Sequence, residues 1–150
     1  MGHYVSSYFS PNLQSAATVI GFIDRCMVAL DCAVYSITHD GIAEALIRAH
    51  QRGVRVRVLT DSTQAGSKYA DDETLEAAGI ELRRDKITGL MHHKFMIGDG
   101  ETEERAVATG SFNWTKSAAT RNMENFVIIR LKYTVEEFQS EFDRIWELNA

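Results

Sequence analysis

The stretch ALIRAHQRGVRVRVLTD, residues 45–61, changes its period halfway. On its upstream side Ile42, Leu46 and Ile47 recur at helical spacing, with alanines between them. Downstream of Gly53, valines alternate with arginines, which is the two-residue period of a strand with one apolar face. Gly53 stands at the junction, where a helix C-terminus favours a residue free to take positive φ. A helix that runs into a strand is half of a β-α-β unit. Whether its neighbours complete the unit decides the fold.

Upstream, YVSSYF (4–9) alternates as a strand, and Ser10-Pro11 predicts a helix with proline in its first turn. The apolar face of that helix is expected from Leu13, Ala16, Ala17, Ile20, Ile23 and Met27. ALDCAVYSI (29–37) is a largely buried strand, and His39-Asp40 is placed to cap the next helix. Downstream, residues 62–67 read as a loop. Asp71–Ala78 reads as a short helix closed by Gly79, and IELRR (80–84) as a strand. The first half is therefore β-α-β-α-β-α-β. Beyond residue 90 the pattern changes: HKFMIGD, AVATGS and ENFVIIRL read as strands joined by loops without a helix. A final helix from about Val135 carries Phe138, Phe142, Ile145 and Trp146 on one face. The expectation is one α/β domain over residues 1–150, a mixed β-sheet flanked by helices on both faces.

Composition agrees with one core. Of 150 residues, 45% are hydrophobic, 25% are charged and one is proline, which argues against disorder. The net charge is −5, so the chain is not basic all over. Positive charge is gathered in Arg48–Lys68 and Arg105–Lys132. The default for such segments is solvated surface, and a basic face on an acidic protein stays open. Cys26 and Cys32 sit among apolar residues and read as buried free thiols. No apolar run reaches membrane-spanning length. MGHYVSS lacks the basic and apolar regions of a signal peptide. The chain as it stands reads as cytoplasmic, or as periplasmic if a leader has been removed.

The chemistry concentrates in MHHKFMIGDG (91–100), where histidines and a lysine stand at the start of an apolar strand. With strand alternation His92 and Lys94 share one face, while His93 and Phe95 share the other. Ser111 and Asn113 end the next strand, and Glu124 begins its neighbour. Three strand ends thus supply an imidazole, an ammonium, a hydroxyl, an amide and a carboxylate. A lysine, an amide and a hydroxyl can hold phosphate oxygens. A histidine can act as nucleophile or as general acid and base, and a carboxylate can orient it. Together these are the parts for displacement at phosphorus without a metal or other cofactor. A zinc site on His92 and His93 is not expected, because neighbours on a strand point apart and no Cys or His cluster completes a tetrahedron.

His92-x-Lys94-x4-Asp99, followed by Gly110-Ser111-x-Asn113 and by Glu124, resembles the HKD signature of the phospholipase D superfamily. Most of the chain is similar to its small single-motif bacterial endonucleases. The resemblance implies a phospholipase D-like α-β-α sandwich and a metal-independent phosphodiesterase. It implies that His92 attacks the phosphodiester to form a phosphohistidine. Lys94 and Asn113 would hold the phosphate with Ser111 in support, and Glu124 would hydrogen-bond His92. Asp99 completes the motif from the far end of the strand, where a structural role is open to it. A mechanism with two histidines and a chain with one motif together imply a homodimer with its site on the two-fold axis. The expected substrate is DNA or RNA, read without sequence preference. Lys116 and Arg121 are the candidate polyanion contacts, and Trp114 is a candidate for base stacking or for core. A membrane is not the expected partner, for want of an amphipathic basic helix. The alternatives are a phospholipase D-type phospholipid hydrolase (of cardiolipin, for example) and a catalytically inactive nucleic-acid-binding module.

Overall fold

The computed structural model describes residues 3–87 and 89–150. Seven strands form one sheet in the order β1-β7-β6-β5-β2-β3-β4. Its right half is β2 (Ala29–Val34), β3 (Arg55–Asp61) and β4 (Glu81–Asp85), paired in parallel. The connections are α2 (Asp40–Gln51) and the short α3 (Ser62–Ala65) and α4 (Asp72–Ala77). The left half is antiparallel: β5 (Lys94–Gly98) beside β2, then β6 (Ala106–Gly110), β7 (Glu124–Ile129) and β1 (Val5–Ser10). The mixed sheet is thus as expected, with the change of pairing at β2–β5.

Strand alternation sorts the core into two layers. On one face Leu30, Cys32, Val34, Val56, Val58, Met96 and Ala108 pack against α1 (Gln14–Arg25) and α2. On the other, Ala33, Leu59, Phe95, Ile97 and Val107 pack against Val135, Phe142, Ile145 and Trp146 of α6 (Lys132–Leu148). The result is a sandwich with helices on both faces. Burial pushes the Cys26 thiol up to about 12, so it is protonated at neutral pH. No helix among the described residues is long and apolar enough to cross a membrane.

Several local expectations need correction. Pro11 lies before α1, which begins at Gln14 because Asn12 Oδ1 accepts from the Gln14 N–H at 2.8 Å. Ile23 is buried as expected and Ala16 and Ile20 pack at the edge of the core, but Leu13 and Met27 are 92% and 72% exposed, and Val19, Phe22 and Cys26 take the other core positions. Residues 62–67 contain α3, capped by Asp61, which accepts from the Thr63 N–H at 3.0 Å. The β6–β7 connection contains α5 (Lys116–Thr120), capped by Thr115. Both helices are single turns, too short to leave a period in the sequence.

The basic segment 48–57 is not a free cationic face. Arg48 pairs with Asp24, and Arg52 donates to the Ile23 and Cys26 carbonyls at the end of α1. Arg57 lies beneath α6, donating to Asp31 at 2.7 and 2.9 Å and to Asp143 at 3.1 Å. It also stacks over the Phe142 and Trp146 rings. On the polar face of VRVRVLT, Arg57 is covered by α6 while Arg55 stays 59% exposed, 3.4 Å from Asp31, so the charge is met by acids distant in sequence.

Candidate active site at one end of the sheet

The parallel strands β2, β3 and β4 end on the side where β5 and β7 begin and where β6 ends. That end of the sheet collects Tyr35, Asp61, His92, Lys94, Ser111, Asn113 and Glu124. Residues 91–93 are not strand, since β5 starts at Lys94. His92 therefore sits on an extended lead-in, which needs braces that a ladder would otherwise supply.

Two braces come from neighbouring strands. Asp61 is 1% exposed, and its Oδ1 accepts from the Met91 N–H at 2.8 Å. The Tyr35 N–H donates to the His93 carbonyl at 2.9 Å. Between them the His92 imidazole is exposed, and Lys94 Nζ lies 3.0 Å from its Nδ1 and 2.8 Å from its carbonyl oxygen. Burial pushes the Lys94 ammonium below the ordinary lysine value, and the nearby Glu124 carboxylate acts the other way. Glu124 is thus electrostatically coupled to Lys94. The described residues show no hydrogen bond from Glu124 to His92.

Asn113 Oδ1 accepts from the Ser36 N–H at 3.2 Å, so what the amide has left to offer is its NH2 group. The Ser111 hydroxyl accepts from the Asn125 N–H at 3.1 Å and so ties the end of β6 to β7. Next to it, a Cβ on Gly110 would run into the Asn125 carbonyl oxygen, so only glycine fits this close approach. His92, Lys94, Ser111, Asn113 and Glu124 are brought to one end of the sheet, as the motif spacing suggested.

Four other candidates are not part of this cluster in the expected way. Asp99 is at the opposite end of β5, 5% exposed, with φ at 50°. Its carboxylate accepts from the Met27, Val28 and Ala29 N–H groups and so shapes the turn from α1 into β2. Of the two roles open to it, the placement fits the structural one: Asp99 lies away from the cluster and holds the α1–β2 turn. Trp114 is 4% exposed and packs in the core, and its carbonyl accepts from the Thr38 and His39 N–H groups. It is not available for base stacking. Lys116 and Arg121 are exposed on and just after α5. Lys116 faces Lys68 and Tyr69 across a cleft of about 510 Å3.

A second cleft, of about 430 Å3, lies beside His92 and is lined by Leu90, Met91, Ile145 and Leu148 together with His93 and Arg144. Burial pushes the His93 imidazole below its ordinary value. The sequence reading missed Tyr35. Its ring centroid is 4.7 Å from that of His92, and Lys94 Nζ is 5.4 Å from the same ring. Tyr35 shows no signal in the sequence, because a tyrosine at a strand end reads as core.

With this geometry in view, the comparisons with known proteins are direct. A family described as the cardiolipin synthase, PLD-like domain matches residues 19–146. The chain belongs to the phospholipase D-like family. Among phospholipase D-like structures it superposes on a phospholipase D family member, Nuc from Salmonella typhimurium. The TM-score is 0.88 at 31% identity, covering 95% of this chain and 93% of that one. NucT from Helicobacter pylori has the same fold, with a TM-score of 0.86 at 23% identity over 95% of both chains. In sequence the chain is 36% identical over 140 residues to the mitochondrial cardiolipin hydrolase of Chlamydomonas reinhardtii, matching 93% of this chain and 61% of that protein. It is 40% identical over 119 residues to the human mitochondrial cardiolipin hydrolase, of which it matches 46%. The chain thus spans about three fifths or less of these relatives, and nearly the whole of Nuc.

Proposed function

We propose that this protein is a metal-independent phosphodiesterase that cleaves nucleic acid through a phosphohistidine in a homodimer. The observation that carries the reading is the set of His92, Lys94, Asn113 and Glu124 at one end of the sheet. Similarity to Nuc along almost the whole length of both chains favours the nuclease form.

In this reading an imidazole nitrogen of His92 attacks phosphorus, and the P–O bond to the leaving strand breaks. Lys94 and the Asn113 amide hold the non-bridging oxygens, where negative charge gathers in the transition state. The leaving oxygen takes a proton from the partner's His92, which must enter the step protonated. That imidazole, now neutral, takes a proton from water. The hydroxide attacks phosphorus, the P–N bond breaks, and His92 is regenerated. One chain carries one such histidine, so the two-fold pairing of two copies supplies the second.

The test is cleavage of end-labelled single-stranded DNA in excess EDTA, with His92→Ala alongside. Wild type should cut, and the variant should lose about 10^4-fold or more in rate, as expected when a nucleophile is removed. Equal cutting by both proteins would overturn the histidine mechanism. A second reading, phospholipid hydrolysis, is supported by the relatives named mitochondrial cardiolipin hydrolase and by one feature of the surface. Leu90 and Leu148, each 55% exposed, stand at the cleft beside His92, with Ile87 nearby in sequence and 51% exposed. Cleavage of cardiolipin in vesicles by wild type, without cleavage of DNA or RNA, would select it.

A further inference from the structure

Tyr35, from outside the motif, meets both His92 and Lys94. Its ring meets the His92 imidazole at 4.7 Å between centroids, tilted by 54°. The same ring lies 5.4 Å from Lys94 Nζ, within reach of a cation–π attraction. Both ends of Tyr35 are tethered. Its N–H donates to the His93 carbonyl at 2.9 Å, and its carbonyl accepts from the Thr60 hydroxyl at 3.3 Å. Its phenol oxygen accepts from Gln64 Nε2 at 3.0 Å. Gln64 in turn sits on α3, whose N-cap is Asp61, and Asp61 also holds the Met91 N–H.

We infer that Tyr35, tethered through its hydroxyl by Gln64, is a positioning residue that sets the angle of the His92 imidazole and the reach of Lys94. The physical need is specific. His92 precedes β5, so no ladder fixes its backbone, and its ring is exposed. An exposed histidine on an extended segment samples several rotamers. In-line attack at phosphorus requires one of them, and a displacement of about 1 Å can cost about 100-fold in rate. A flat ring against one side of the imidazole removes the alternatives without using either of its nitrogens. The same ring attracts the ammonium, so one side chain bears on the spacing between nucleophile and phosphate clamp. This inference rests on the proposed role of His92.

The test uses Tyr35→Leu, Tyr35→Phe, Gln64→Ala and the Tyr35→Phe/Gln64→Ala double variant, each checked for an unchanged melting temperature. On a nucleic-acid substrate, Tyr35→Leu should lose about 100-fold in kcat with KM within about threefold of wild type. Tyr35→Phe and Gln64→Ala should each lose about fivefold, and the double variant no more than either, because both remove one tether. Additive losses, or a kcat for folded Tyr35→Leu within about twofold of wild type, would overturn the inference. If Tyr35→Leu does not fold, the cycle of the other three decides alone. The proton NMR spectrum of His92 separates this inference from the nuclease reading. The Cε1–H resonance should move in Tyr35→Leu as the ring-current shift of Tyr35 is lost, whatever the substrate. An unmoved resonance sinks the positioning role; a moved resonance in a protein that cuts no nucleic acid sinks the nuclease reading alone.

Discussion

Asp71 is a carboxylate in unfavourable surroundings. It is 8% exposed, and its Oδ2 is buried without a hydrogen-bond partner. Burial, followed by the charges of Asp40, Asp72 and Glu44, pushes its pKa up from 3.8 to about 6. Between those two values the folded state holds a proton that the unfolded state has released. The stabilisation it gives is complete below about pH 4 and is lost as pH rises through about 6. Asp71→Asn removes the titration. It should stabilise the protein at pH 7 by about 1–3 kcal/mol, a few degrees in melting temperature, and flatten the loss of stability between pH 4 and 7. Urea melts at the two pH values check this; an unchanged slope would show that the charge is compensated. At this scale the motif residues were legible and their supports were not. His92, Lys94 and Asn113 are marked by spacing. Tyr35 and Asp61 act through contacts with residues 57 and 30 positions away, and local sequence carries no trace of such pairs.

Strand β5 separates two jobs that the motif's linear order merges. Lys94 opens it at the cluster, while Asp99 follows it at the opposite end and receives three N–H groups from the α1–β2 turn. Asp99→Ala leaves those donors unmatched, at about 1 kcal/mol or more for each, so a loss of about 3 kcal/mol or more is expected. Turnover of the remaining folded protein, measured well below its melting temperature, should stay within a few-fold of wild type. A loss on the scale of His92→Ala in fully folded protein would return Asp99 to the chemistry. Elements long enough to repeat their period, such as α2, β3 and α6, were legible, although α6 begins at Lys132 rather than near Val135. Single turns such as α3 and α5 were not, because capping by Asp61 and Thr115 makes them without any apolar repeat. The start of α1 was misplaced because the Asn12 turn outweighs the preference of proline for a first helical turn.

The molecule presents one set of site residues, and the proposed mechanism needs two histidines. Mixing wild type with His92→Ala at a ratio of 1:1 under subunit exchange tests this directly. Only wild-type pairs would carry both histidines, so activity per total protein should fall to about one quarter of the wild-type value. A value of about one half would mean that each chain acts alone. The spacing of apolar residues and the order of the motif were enough to settle the sheet type, the helix layers and the group that gathers at one end. Both are local patterns, repeated along the chain at the periods of helix and strand. Only the folded structure decided that Asp99 and Trp114 serve the fold, that Arg57 of β3 is neutralised under α6, and that Tyr35 meets His92. Each of these depends on which residues distant in the chain become neighbours, and that is determined by packing the layers together.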